Sequence, residues 1–192
     1  MPVQKTDAQS IIKSALNVFL EKGYHKTSMN DLAAEAGLLK GSLYHHFSSK
    51  EELMKSVIES LHDYYRREIF VIPAMDIPAI EKVRAMIQAS EEVFFNQRGG
   101  NFMTNIALET LNVVPEFTAM IRAFFRDWLG CIAAVYAEVV DHDRAMELAR
   151  QTLAEIEGAV VMMEMFDEPA YLTEAHQRII DRYEALATAA QN

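Results

Sequence analysis

The sequence predicts an all-α protein: a small N-terminal head of three helices followed by a longer helical body. Only seven glycines and five prolines interrupt the 192 residues. Strand-like alternation is absent, and long stretches rich in Ala, Glu, Leu and Met favour helix throughout. Hydrophobic residues make up 51% and charged residues 24% of the chain, the balance of a globular protein that buries a core, which excludes a largely disordered chain.

The elements follow in order. Ile11, Ala15 and Phe19 form one i, i+4 row and Ile12, Leu16 and Leu20 the next, which gives an amphipathic helix over residues 7–22 that Gly23 ends. Thr27 and Ser28 cap a short second helix carrying Leu32, Ala33 and Ala36, and Gly37 supplies the left-handed residue that stops it. A third helix runs from Lys40 to His46. Ser49 followed by Glu52 reads as a capping box for a longer fourth helix marked by Leu53, Val57, Ile58 and Leu61. Pro73 and Pro78 make the segment 71–78 a connection. Beyond it, helices are expected over 79–97, 102–112, 116–140, 143–166 and 170–189, broken by Gly99-Gly100, Pro115, a polar Asp141-His142-Asp143 loop and Pro169.

The formal net charge of -10 argues at first against nucleic acid, but its distribution reverses the argument. Residues 1–50 hold six lysines against four acids, and residues 51–192 hold 12 basic against 24 acidic residues. A basic head sits on an acidic body. Within the head, the two short helices joined at Ala36-Gly37-Leu38-Leu39 have the proportions of a helix-turn-helix. Leu32, Ala33, Leu38, Leu43 and Phe47 face its core, and Lys40, Ser42, Tyr44, His45 and His46 face DNA. Tyr44 and His46 are expected to contact phosphates through a hydroxyl and a ring N–H, and Lys40, Ser42 and His45 to read bases. Gly41 lets the backbone approach a phosphate, Thr27 and Ser28 offer a helix N-terminus to another, and Lys50 adds a further contact. His45 and His46 diverge by about 100° as helix neighbours, with no second ligand pair one turn on, so neither a metal nor a cofactor is expected.

The stretch Gly23-Tyr24-x-x-Thr27-Ser28-Met29-x-x-Leu32-Ala33-x-x-Ala36-Gly37-Leu38-x-x-Gly41-Ser42-Leu43-Tyr44-x-His46-Phe47-x-x-Lys50-x-x-Leu53 closely resembles the DNA-binding head of the tetracycline-repressor (TetR) family. The likeness covers residues 9–55 with every landmark in order, departing at Leu39, where a small or polar residue is usual, and at Ser10, where a basic one is frequent. It implies a cytoplasmic homodimer of helical subunits, usually a repressor, with a DNA-binding domain over residues 1–55 and a ligand-binding and dimerisation domain over 56–192. The partners implied are double-stranded operator DNA and a small-molecule effector that alters the spacing of the two heads.

In the body, Met86, Phe94, Phe95, Met103, Met120, Phe124, Trp128 and Met162 are candidates to line a pocket for a bulky apolar ligand, with Glu109 as its orienting acid. Cys131, the single cysteine, lies among apolar residues and reads as an inert thiol. Leu148, Leu153, Ile156, Val160 and Met163 form a stripe expected to bury against a second subunit, with Gly158 and Ala159 allowing close approach. No apolar run is long enough to span a membrane, and the first residues lack the pattern of a signal peptide, so a cytoplasmic protein is expected. The reading is a ligand-responsive regulator released from a palindromic operator. The alternative is a helical small-molecule-binding protein or enzyme with a vestigial head, although no nucleophile-base pair or phosphate loop supports catalysis.

Overall fold

The structure, a computed structural model, describes residues 7–93, 101–111 and 113–190. Among the described residues the regular elements are all helical: α1 (Ala8–Lys22), α2 (Met29–Glu35), α3 (Lys40–His46), α4 (Lys50–Glu68), α5 (Ala79–Glu91), α6 (Phe102–Thr110), α7 (Pro115–Tyr136), α8 (His142–Phe166) and α9 (Ala170–Ala190). They form two compact units, Met1–Asp63 with Phe102–Ile121, and Tyr64–Asn101 with Arg122–Asn192. Helices α4 and α7 each contribute residues to both.

The first unit is built on local signals. Asp7 caps α1 by accepting from the Ser10 N–H at 2.8 Å, and Gly23, at φ +76°, ends it. Ser28 and Asp31 form a reciprocal capping box on α2, and Gly37 turns the chain toward α3 at φ +66°. Ile11, Ala15, Phe19, Leu32, Ala33, Leu43 and Phe47 are buried together with Tyr24. The Tyr24 ring meets Phe117 of α7 edge-on, with centroids 5.2 Å apart. Leu38, expected in this core, is only half-buried.

The second unit has an aromatic centre in which Tyr65, Phe124 and Trp128 pack with centroids 4.8–5.6 Å apart. Helix α5 and the long pair α8 and α9 complete it. Buried Lys82 is tied by its Nζ to the Pro73 carbonyl at 2.9 Å and to Glu138 at 2.8 Å, which fixes the connection before α5. Cys131 is buried, and burial pushes its thiol up to about 12, the property of an inert side chain.

Several expectations shift. The connection at 71–78 contains a 3-10 turn, Ile72–Ala74. Helix α5 is helical to Glu91, and Gly99-Gly100 lie outside the described residues. Helix α7 ends at Tyr136, not 140. The polar segment at 141–143 is a helix start: the Asp141 carboxylate accepts from the N–H groups of Asp143 and Arg144, so α8 begins at His142. Helix α8 ends at Asp167, a non-glycine residue at φ +53°. Ser49 accepts from the Glu52 N–H as expected, but the Glu52 carboxylate reaches Ser48, not Ser49, taking both its N–H and its hydroxyl at 2.6 Å. The apolar stripe of α8 is corrected as well. Leu148, Leu153, Ile156, Val160 and Ala159 are already buried within the single chain, because α8 packs on α9.

Candidate functional site

Helix α3 presents the polar face that its sequence predicts. Leu43 is fully buried and Phe47 nearly so, which turns Lys40, Gly41, Tyr44, His45 and His46 outward, with Ser42 half-buried. Lys40 and Tyr44, one turn apart, share a side, the Lys40 Nζ lying 6.0 Å from the Tyr44 ring centroid. Leu39, the residue before the helix, is 80% exposed and makes no side-chain cap. A lysine, two imidazoles and a phenol on one seven-residue helix offer hydrogen-bond donors to phosphates and base edges without any carboxylate among them.

Three other predicted DNA contacts are placed differently. Thr27 is 3% exposed and its hydroxyl donates to the Gly23 carbonyl at 2.6 Å, so that proton is not available to a phosphate. The Ser28 hydroxyl donates to the Asp31 carboxylate at 2.5 Å and serves as the cap. Asp31, held by Lys22 and Ser28, has its carboxyl kept well below the usual range. Lys50 turns inward: its Nζ donates to the Tyr24 carbonyl at 2.7 Å and lies 4.3 Å from the Tyr24 ring centroid. Burial pulls its pKa down, against the field of Glu109. These residues hold the head together; α3 carries its exposed chemistry.

Glu109 belongs to the same unit and does not orient a ligand in an apolar pocket. Its carboxylate accepts from the Tyr24 N–H at 2.8 Å, and its own carbonyl accepts from the His25 Nε2 at 3.0 Å. A Cβ on Gly23 would come within 2.7 Å of this carboxylate, which would have to shift from its present position, while the positive φ is what calls for glycine. Glu109 also lies on a polar groove of about 360 Å³ between α1 and α6.

The candidate ligand residues of the body do not converge. Met86 and Trp128 line an apolar cavity of about 40 Å³ in the second unit. Phe124 is buried against Tyr65 and Trp128 instead of lining it. Met103 is buried in the first unit and Met120 half-buried there. Met162 is exposed on α8, because it sits about 200° round the helix from the buried Val160. Phe94 and Phe95 lie outside the described residues. The cavity adds residues that apolar patterning does not flag, among them Ser90, Thr152 and His176. His176 is buried and its Nδ1 is 2.9 Å from a Glu91 carboxylate oxygen, a polar pairing across 85 positions that periodicity does not reveal.

Residues 11–57 match the family model described as bacterial regulatory proteins, tetR family. Residues 79–178, about half of the chain, match the transcriptional regulator LmrA/YxaF-like C-terminal domain. The chain belongs to the TetR family. Among relatives of this TetR-family chain, the HTH-type transcriptional repressor KstR2 of Mycolicibacterium smegmatis is 28% identical over 117 residues, 60% of this chain and 56% of that one. KstR2 of Mycobacterium tuberculosis is 34% identical over 109 residues, 56% and 54% of the two chains. The chain thus matches a little over half the length of these curated relatives. A crystal structure of a TetR transcriptional regulator from Legionella pneumophila shares the fold, with a TM-score of 0.82 at 20% identity over 95% of this chain and 98% of that one.

Proposed function

We propose that this TetR-family protein is a ligand-responsive transcriptional repressor that binds a palindromic operator as a homodimer and is released by a small, largely apolar effector. The observation that carries the reading is the outward face of α3, where Lys40, Tyr44, His45 and His46 stand exposed on a helix anchored by buried Leu43. Residues 1–55 read DNA. Residues 56–192 bind the effector and dimerise, and within them the segment 102–121 holds the head by packing in its unit. The exposed apolar residues of α8, Val161, Met162, Met165 and Phe166, are the proposed centre of the dimer, in place of the stripe already buried in the chain.

Release requires that the effector bind one conformation of the protein better than the other, since equal affinity shifts nothing. Two heads must lie about 34–36 Å apart to enter successive major grooves, so small displacements suffice. Helices α4 and α7, which run through both units, are the continuous elements along which occupancy of the second unit acts on the first. The experiment is a gel shift with DNA from upstream of the protein's own gene. The wild type binds, while Lys40→Ala and Tyr44→Ala, with unfolding midpoints near that of the wild type, bind at least about tenfold more weakly. Wild-type affinity in both variants would refute the assignment of α3.

A further inference from the structure

Leu39 departs from the pattern that the other helix starts of the head follow. Asp7, Ser28 and Ser49 each accept from an N–H of the helix they precede, at 2.8, 3.2 and 3.1 Å. Leu39 stands in the same position ahead of α3, with an extended backbone at φ -71° and ψ 147°. Its carbonyl accepts from the Leu43 N–H at 3.1 Å, yet its side chain has no oxygen with which to cap. Serine, threonine, aspartate or asparagine there would stabilise the helix. Helix α3 begins instead with a branched aliphatic side chain that is 80% exposed.

Single exposed leucines are ordinary on protein surfaces; this one is set apart by its place. Between residues 7 and 68 it is the only large aliphatic side chain so exposed, and it leads the helix whose outward face carries Lys40, Tyr44, His45 and His46. In a helix-turn-helix, the N-terminal residues of the second helix meet base edges in the major groove. That groove presents hydrogen-bond donors and acceptors and one apolar group, the C5-methyl of thymine. A leucine side chain neither donates nor accepts, so phosphate oxygens and the polar edges of bases do not complement it. The methyl does.

We infer that Leu39 reads a thymine methyl in each half of the operator, as the apolar member of a recognition surface whose polar members lie on α3. The inference rests on the function proposed above and adds to it the identity of one base in each half-site.

The probe is a duplex from upstream of the protein's own gene, made once with thymine and once with uracil throughout. Uracil keeps every hydrogen-bonding group of thymine and lacks only the methyl. In gel shifts the wild type is expected to bind the thymine duplex about fifteenfold more tightly, roughly fourfold for each of two methyls. Leu39→Ser is expected to bind the two duplexes within about twofold of each other. It supplies the missing cap and is expected to unfold at a higher temperature than the wild type, so weaker binding is not loss of fold. Leu39→Met, which stays apolar, is expected to keep the preference. Replacing thymines one at a time is expected to trace the wild-type loss to one thymine in each half-site, related by the two-fold axis of the operator.

Equal binding of the two duplexes by the wild type would overturn the inference. So would a wild-type preference retained in Leu39→Ser or lost in Leu39→Met, or a loss spread evenly over the thymines, the mark of a change in duplex shape. Those outcomes leave operator binding intact and contradict the inference alone. A wild type that binds neither duplex contradicts the function proposed above, and the inference with it.

Discussion

At the scale of single residues, the side chains that hold the head matter as much as those proposed to face DNA. Glu109 accepts from the backbone of Tyr24 in the turn after α1 and crowds Gly23. Removing the carboxylate leaves a part-buried N–H without its acceptor, so Glu109→Ala is expected to cost about 1–3 kcal/mol in denaturant unfolding. Gly23→Ala is expected to cost about 1–3 kcal/mol for its backbone conformation alone, φ +76° with ψ 166°, plus a clash with Glu109. In the Glu109→Ala background that excess disappears, and a double-mutant cycle reads it directly. Strict additivity would contradict the contact. His176 gives a pH dependence with a definite sign. Its folded pKa lies below the ordinary 6.5, so just below that pH the unfolded chain binds more protons than the folded one, and stability falls as pH falls. Between about pH 7.5 and about pH 5.5 the thermal midpoint is expected to drop more in the wild type than in His176→Phe; equal drops would contradict the burial effect.

At the scale of elements, helix starts are set by side chains close in sequence. Asp141 accepts from two N–H groups at the start of α8, so Asp141→Ala is expected to lower stability by about 1 kcal/mol in an unfolding titration. Leu43 is fully buried beneath α3, and Leu43→Ala is expected to cost about 2–5 kcal/mol. What was legible in the sequence follows the same division. Helices α1 to α4, the glycine turns and the exposed face of α3 rest on i, i+4 rows, caps and positive-φ positions, all short-range signals. The roles of Lys50 and Glu109 were not legible, because each depends on a tertiary partner, the Tyr24 carbonyl and the Tyr24 N–H, while Thr27 bonds the Gly23 carbonyl four residues back in a turn that helix periodicity does not describe. The face of α8 was misassigned for a related reason. An apolar stripe shows that a face is buried, but not whether its cover is α9 of the same chain or a second subunit. Periodicity likewise flagged Met86 and Trp128 as apolar, while the pairing of Glu91 with His176 has no local signature.

At the scale of the whole molecule, charge divides the labour. The first fifty residues carry six lysines against four acids while the chain as a whole is at -10, a distribution that supports the proposal that the head, and not the acidic remainder, approaches DNA. The proposed dimer predicts that Met165→Glu combined with Phe166→Glu shifts sedimentation at micromolar concentration from dimer toward monomer, because it places charge in an exposed apolar patch of α8. The proposed release mechanism requires reciprocal coupling: whatever factor an effector takes from operator affinity, the operator takes from effector affinity. Beneath both lies the claim that α3 meets DNA, and the salt dependence of operator binding tests it most directly. Log affinity against log salt is expected to be linear and steep for the wild type, and Lys40→Ala, which removes a base contact, is expected to lower affinity at least about tenfold along the whole line. A Lys40→Ala protein with the wild-type slope and affinity would contradict the claim.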